Sequence, residues 1–480
     1  MPNINRFSGT ASVIGSFFCF AVGLIACRSV LPPGGSADGQ AATGALNDRE
    51  RTSAAVVPSK GPSFPAPQIL GFIPVVIPPH DTSLSPEQSR PFFDAFSWQS
   101  FIALNWPAVA SKRGVPDQPE ASNRFLRATN GTPVVWGTYK TSDDIFGTGK
   151  ARPAPWDDYG PGLGFPGNKV FTRLSKGAKN SVLSDTIEAF SFPLVDQNKA
   201  YVRYEVNYNK AFYNFVRGTD TNAQSWRYLL VNLAKFTNGV SMPASTAPTN
   251  VGALMLKAAW REMTPQDLAS GRYYVVQAQV EDPISHIRAS KPMGLVGLHI
   301  TQKLQGFPEW NWSTFEQVDN VRRGPGSNPT TPISFNDGTS NPPTPRGYAN
   351  RPASKNAVTN PVPVQVTRLN PIPMTPAGAS TVEINAAFQK ALAGTVWQYY
   401  ELVMTQWPSD PTTFKLMENG GIYPADCGAA FPPNGACNTT METYFQSATD
   451  AAGARGNSCM SCHYRAASAD FSWGLMNRAH

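Results

Sequence analysis

The sequence predicts a mainly β fold with some α-helix, in which an antiparallel sandwich or open barrel forms the body. Residues 200–208 alternate between polar and apolar side chains, which is the pattern of a strand with one buried face. Residues 254–261, 273–280 and 295–301 continue that pattern. Several strands separated by turn-rich segments favour antiparallel neighbours. We therefore expect a β-rich body that carries a short C-terminal segment.

Two helices are expected beside these strands. Ser85-Pro86-Glu87-Gln88 combines an N-cap, a first-turn proline and a glutamine at the third helical position, and the helix should end before Pro107. Ser380 and Glu383 form the same kind of helix start. Residues 395–407 are then expected to return to strand.

The chain is expected to contain four regions. Residues 1–26 are interpreted as a signal peptide, and residues 27–84 have the Pro, Gly and Ala content of a tether. The β-rich body covers residues 85–407 and includes a long irregular segment, 322–378. Residues 408–480 form the C-terminal region.

The N-terminal residues predict export and lipid attachment. Arg6 precedes an apolar stretch at 13–26, which is short for a membrane span and suits a signal-peptide core. Leu24-Ile25-Ala26-Cys27 has the pattern of a bacterial lipobox, in which the cysteine becomes the first mature residue and carries lipid. An uncleaved anchor helix is the alternative. Both place the body in the periplasm, and Arg28 in place of an aspartate favours the outer membrane over the inner.

The segment Cys459-Met460-Ser461-Cys462-His463 carries the clearest chemical pattern. C-x-x-C-H is the attachment site of a c-type haem, where each thiol adds to one vinyl group and the histidine ligates the iron. A redox dithiol or half of a zinc site are the alternatives. A dithiol would be expected in a βαβ unit, and zinc would need two further ligands nearby. The pattern therefore predicts one covalent haem c on Cys459, Cys462 and His463.

The remaining cysteines fit an exported protein. The chain has six cysteines, of which Cys19 leaves with the signal peptide. Once Cys27 takes lipid and two cysteines take haem, Cys427 and Cys437 remain as a predicted disulfide in an oxidising compartment. Two unpaired thiols are the alternative.

The sixth ligand of the iron is not fixed by the sequence. Only 17 residues follow His463, too few for the usual second half of a small cytochrome c. Met476 could fold back, and His299 could reach the iron from the polar face of its strand. An open site is a further alternative, as are other residues: Met404, Met417, Met441, His286 and His480. Methionine raises the reduction potential relative to histidine, and an open site permits ligand chemistry.

The motif from Cys459 to His463 resembles the c-type cytochromes. The wider chain, from about Ser85 to the end, resembles bacterial cytochrome c family proteins that carry one haem motif after a large non-cytochrome region. The similar segments are 96–101, 256–260, 312–320 and 469–473. The resemblance implies haem binding and electron transfer.

Three functions are compatible with these features. A lipid-anchored electron carrier that serves a redox partner protein needs no further catalytic residue. A haem enzyme of the peroxidase or oxygenase type would need an open sixth position, and a haem-based sensor lipoprotein is the third possibility. No G-x-S-x-G, H-E-x-x-H or Walker motif is present. A net charge of +7 without a lysine or arginine run argues against a nucleic-acid partner.

Overall fold

The computed structural model describes residues that all lie in Pro58–His480. They are residues 64–76, 84–128, 131–146, 152–158, 169–171, 193–218, 240–246, 249–282, 285, 287–321, 333–337, 361–407, 415–416, 422–423, 429–431, 438–444, 446, 459 and 463–478. Cys27, Cys427, Cys437 and Cys462 lie outside these ranges, so the predicted lipid site, disulfide and second haem cysteine stay predictions.

An antiparallel sheet forms the centre of the fold. The strands are β1 (Lys140–Thr141), β2 (Lys169–Phe171), β3 (Arg203–Tyr208), β4 (Leu254–Glu262), β5 (Val275–Glu281), β6 (Arg288–Leu304), β7 (Phe307–Gln317), β8 (Tyr400–Trp407), β9 (Lys415–Leu416), β10 (Ile422–Tyr423) and β11 (Ala429–Phe431).

Within the described part, nine of these strands form one sheet and β9 pairs with β10 separately. The main order is β1-β3-β4-β6-β7-β8-β11, so the sheet is open at both edges. Strand β5 pairs with the first half of β6, and β2 runs parallel to β5. The prediction of a mainly β protein with some α-helix is confirmed.

The helices are α1 (Pro86–Leu104), α2 (Ser122–Leu126), α3 (Ser142–Phe146), α4 (Lys210–Arg217), α5 (Pro265–Ser270), α6 (Thr381–Ala391) and α7 (Trp473–Arg478). Short 3-10 turns cover Trp136–Thr138, Val396–Tyr399 and Tyr464–Ala469. No helix among the residues described is both long and apolar enough to cross a membrane.

Both predicted helix starts are confirmed as capping boxes. Ser85 and Gln88 exchange hydrogen bonds at the start of α1, and Ser380 and Glu383 do so at the start of α6. The expected strand from residue 395 begins later, at Tyr400. Thr395 accepts a hydrogen bond from the Trp397 backbone N–H and starts a 3-10 turn there.

Helices α1 and α6 cover one side of the sheet, here called the helix face. Leu298, Phe315 and Leu402 lie side by side on this face because β6, β7 and β8 pair in that register. Trp98 of α1 packs edge-on against Phe315 at 5.0 Å, and its indole N–H donates to Asn385 of α6 at 2.8 Å. This aromatic layer buries the apolar side of the sheet.

The C-terminal residues pack on the opposite side, here called the C-terminal face. Tyr204 of β3 donates its hydroxyl hydrogen to the Thr440 carbonyl at 2.6 Å. A Cβ on Gly297 of β6 would collide with Thr440 Oγ1, so glycine allows this close approach. The C-terminal face is therefore covered by residues that follow the last strand.

Part of the predicted tether, residues 64–76, has no helix or strand and is hydrogen-bonded to the body. Leu70 accepts a hydrogen bond from Gln99 of α1 at 3.1 Å, and the Gly71 N–H donates to Pro119 at 2.7 Å. Pro74 accepts from Gln302 of β6 at 2.9 Å. These contacts attach the start of the described chain to both α1 and the sheet.

Candidate functional site

A row of four side chains crosses the C-terminal face. Lys257 on β4 pairs with His299 on β6, His299 pairs with Thr314 on β7, and Thr314 pairs with Met404 on β8. Directly paired residues in a sheet project to the same side. The strand register therefore brings together two of the predicted candidate ligands, His299 and Met404.

His463 lies over the same face, beside Trp312 of β7. Its ring centroid is 4.5 Å from that of Trp312. Its Nδ1 lies 2.7 Å from the Phe471 carbonyl oxygen. A carbonyl can only accept, so Nδ1 carries the proton and the lone pair of the neutral ring is on Nε2.

The environment of His463 keeps the imidazole neutral. Burial lowers its pKa to about 4, against the opposing effect of the hydrogen bond to Phe471. The positive charge of Lys257 acts in the same direction as burial. A neutral imidazole whose Nδ1 donates to a carbonyl is the form that ligates haem iron through Nε2.

Cys459 contacts the next strand of the sheet. Its backbone N–H donates to Gln406 Oε1 of β8 at 2.7 Å, and its side chain packs with Val403, Met404 and Ile372. Cys459 and His463 are four positions apart in the sequence, and both contact the C-terminal face. The structure thus brings two of the three predicted haem residues to the C-terminal face.

His299 is held by hydrogen bonds at both ring nitrogens. Nδ1 lies 2.7 Å from Thr314 Oγ1, and Nε2 lies 3.2 Å from Glu442 Oε1. The second oxygen of Glu442, Oε2, is buried, and no hydrogen-bond partner for it lies among the described residues. Burial opposes ionisation of Glu442, but His299 and Lys257 lower its pKa overall. Glu442 is therefore an anionic group beside the two histidines.

Three of the methionine candidates lie among the described residues, and they differ in their surroundings. Met441 is 1% exposed and belongs to the apolar cluster of Tyr204 and Tyr444. Met404 is 1% exposed and its Sδ accepts a weak hydrogen bond from Gln406 at 3.4 Å. Met476 on α7 is 40% exposed, with its Sδ 3.8 Å from Ser468 Oγ. Met404 belongs to the apolar cluster that contains Cys459. Met417, His286 and His480 lie outside the described residues.

Sequence reasoning did not assign Trp312, Gln406 or Glu442 to this site, and it did not assign the supporting residues Lys257, Thr314 and Phe471. These residues reach the site through strand register or through packing of the C-terminal residues, which no local motif encodes. In the described ranges, no group of three or more His, Cys, Asp and Glu side chains could hold a metal ion.

No protein-family model matches this chain, and neither a curated protein nor a solved structure matches it. The function of the C-terminal face is therefore inferred from its own chemistry.

These residues fit a c-type haem in their donor chemistry. His463 offers a neutral nitrogen ligand, and Cys459 places a thiol among apolar side chains that suit the edge of a porphyrin. Trp312 provides an aromatic surface next to the imidazole. His299 presents a second imidazole on the same face.

Proposed function

We propose that this chain binds one haem c covalently and transfers electrons at the periplasmic face of a bacterial membrane. The proposal depends on one observation. Cys459 contacts Gln406 and His463 contacts Trp312, and Gln406 and Trp312 are directly paired on neighbouring strands. When bound, a haem iron takes up and releases one electron.

Each residue of the proposed site has a separate task. Cys459 and Cys462 anchor the porphyrin, and His463 ligates the iron through Nε2. The Phe471 carbonyl holds the His463 ring through Nδ1, which fixes the direction of Nε2. Trp312 covers one side of the imidazole and excludes water from it.

His299 is our candidate for the sixth ligand. It projects from the same face of the sheet, and its Nε2 lies 3.2 Å from Glu442 Oε1. His299 would hold the iron through Nε2, the nitrogen that faces Glu442, and Thr314 would orient the ring through Nδ1. Met404 is the alternative from the sheet and Met476 the alternative from α7.

The proposed location rests on the N-terminal residues. A lipid on Cys27 anchors the protein to a membrane, the outer rather than the inner, and the periplasm permits both haem attachment and a Cys427–Cys437 disulfide. The electron donor or acceptor would be a redox partner protein.

Haem staining of a denaturing gel tests the proposal directly. The full chain is produced in a bacterial host that attaches c-type haem, and the mature band should stain. The double variant Cys459→Ser/Cys462→Ser should lose the stain, while Cys427→Ser/Cys437→Ser should keep it as the matched control. An unstained wild-type band, or a stained Cys459/Cys462 variant, would overturn covalent haem binding at this site.

The visible spectrum with and without carbon monoxide tests electron transfer. A low-spin spectrum that the gas does not change means two protein ligands, as an electron carrier requires. Ready binding of carbon monoxide would instead indicate an accessible iron and favour the haem enzyme or the sensor.

A further inference from the structure

Asp470 connects the C-terminal segment to the sheet through buried hydrogen bonds. Its Oδ1 accepts from Lys303 Nζ at 2.7 Å and from the Trp310 indole N–H at 3.2 Å, and its Oδ2 accepts from the Met242 backbone N–H at 2.6 Å. Asp470 is 4% exposed. Lys303 lies at the end of β6 and Trp310 in β7, so both sides of one hairpin hold this carboxylate.

The residue that follows Asp470 holds the His463 ring. Phe471 accepts the His463 Nδ1 hydrogen at its carbonyl and donates its own N–H to Ala466 at 2.9 Å. Asp470 donates its N–H to Ala467 at 2.9 Å. The 3-10 turn after His463 thus closes on itself, and the Asp470 carboxylate fixes that closed turn to the hairpin.

The backbone at this junction is strained. Trp310, Asp470 and Phe471 have φ angles of 68°, 49° and 62°. This left-handed conformation is unfavourable for residues with a Cβ and persists where surrounding contacts hold it, commonly at functional sites. Among the described residues, the other two non-glycine positions with positive φ are Gln118 and Lys199. Three of these strained residues therefore meet at the contact that supports His463.

We propose that Asp470, Lys303 and Trp310 form a clasp that positions the His463 imidazole. The clasp holds the Phe471 carbonyl where it fixes the proton on Nδ1 and leaves Nε2 free of that proton. These are positioning residues, which act on the proposed haem ligand through Phe471. The consequence for haem rests on the proposed function, whereas the effect on the His463 tautomer is a property of the protein without haem.

Nitrogen NMR of the histidine rings in the haem-free full chain tests the clasp. The chain has five histidines, and His463→Gln identifies the His463 signals by their loss. At a fixed pH of 7, the wild type should show a single neutral tautomer with the proton on Nδ1. Asp470→Asn should convert this to a mixture of tautomers, because Lys303 loses its charged partner and the turn shifts.

A remote ion pair provides the matched control. Arg272 binds Asp319 with two hydrogen bonds at 2.6 and 2.7 Å, and Asp319 is 7% exposed. Asp319→Asn therefore removes a comparable charge, and the His463 signals should stay unchanged. Circular dichroism confirms that each variant is folded. If Asp470→Asn does not fold, Trp310→Phe keeps an aromatic ring but removes the indole donor, and it should shift the tautomers partly.

The outcomes separate the clasp from the proposed function. An unchanged single tautomer in folded Asp470→Asn, or in Trp310→Phe where that variant replaces it, would overturn the clasp. In the haem-loaded protein, Asp470→Asn should keep the haem stain and raise the reduction potential, because a weaker hydrogen bond makes His463 a weaker donor to iron. A potential unchanged in that variant would also count against the clasp. If the wild type does not bind haem, the NMR result still decides whether the clasp exists.

Discussion

Trp312 of β7 and Gln406 of β8 are directly opposed in the sheet, and each contacts one residue of the C-x-x-C-H motif. The Trp312 ring lies beside His463, and Gln406 accepts the Cys459 N–H. Opposed side chains in an antiparallel pair are close neighbours on one face. Two neighbouring strands therefore hold the first and last residues of the motif. The spacing of these two residues matches the spacing of the two strands.

Replacement of Gln406 by methionine tests this match. The change keeps the length of the side chain but leaves the Cys459 N–H without its acceptor. A hydrogen bond of a part-buried donor contributes about 0.5–1.5 kcal/mol, so amide exchange in peptides containing Cys459 should rise about two- to twelvefold in hydrogen-exchange mass spectrometry. Gln389→Met, which removes a hydrogen bond to Tyr400 on the helix side, should leave those peptides unchanged. Equal exchange in both variants would contradict the match.

Glu316 should be the strongest single attachment between the sheet and residues 438–446. It is fully buried, and it accepts from Arg368 at 2.7 Å, from the Thr439 hydroxyl at 2.8 Å and from the Thr440 N–H at 3.2 Å. Because Arg368 also pairs with Glu401 at 3.5 Å, the cost of removing the Glu316 charge is that of its charge-assisted hydrogen bonds, about 1.5–3 kcal/mol. Glu316→Gln should lower the free energy of unfolding in urea by about that amount.

The exposed ion pair of Glu281 provides the control for this experiment. Glu281 binds Arg288, which is 58% exposed, and such pairs contribute about 0–1 kcal/mol. Glu281→Gln should therefore change the unfolding midpoint little. A Glu316→Gln variant as stable as Glu281→Gln would show that the Glu316 network does not hold residues 438–446 to the sheet.

The elements with local signals could be predicted from the sequence, and the site could be predicted only in part. Strand alternation and the two capping boxes depend on residues within a few positions of each other, as does C-x-x-C-H. The contacts that complete the site join residues far apart: Cys459 and Gln406 by 53 positions, His299 and Glu442 by 143, and Trp310 and Asp470 by 160. Such contacts depend on strand register and on which face the C-terminal residues cover. Neither is encoded in a short pattern.

The free energy of unfolding should fall as the pH rises, because Asp94 of α1 loses a proton that it holds in the folded protein. Burial raises its pKa from 3.8 to about 6, although the Thr381 hydroxyl donates to it at 2.6 Å and Arg90 lies nearby. The folded protein therefore binds this proton more tightly than the unfolded chain. The resulting stability is fully present below pH 3.8 and is lost as the pH rises through 6.

Urea unfolding at pH 4.5 and pH 7 measures this effect. Relative to Asp94→Asn, which cannot titrate, the wild type should lose about 2 kcal/mol of unfolding free energy between the two values. Thr381→Val removes the hydrogen bond to the carboxylate and should extend the loss to higher pH. Parallel stability curves for wild type and Asp94→Asn would refute a raised pKa at Asp94.

The sixth ligand can be identified by three leucine variants of the haem-loaded protein. If His299 ligates the iron, His299→Leu should convert a low-spin spectrum to one that changes on addition of carbon monoxide. Met404→Leu and Met476→Leu conserve side-chain volume and should leave the spectrum low-spin, as controls for the buried and the exposed methionine. A methionine ligand would show the reverse pattern and a higher starting potential, because methionine raises the potential relative to histidine. Carbon monoxide binding by the wild type would reject all three ligands and leave the sixth position open.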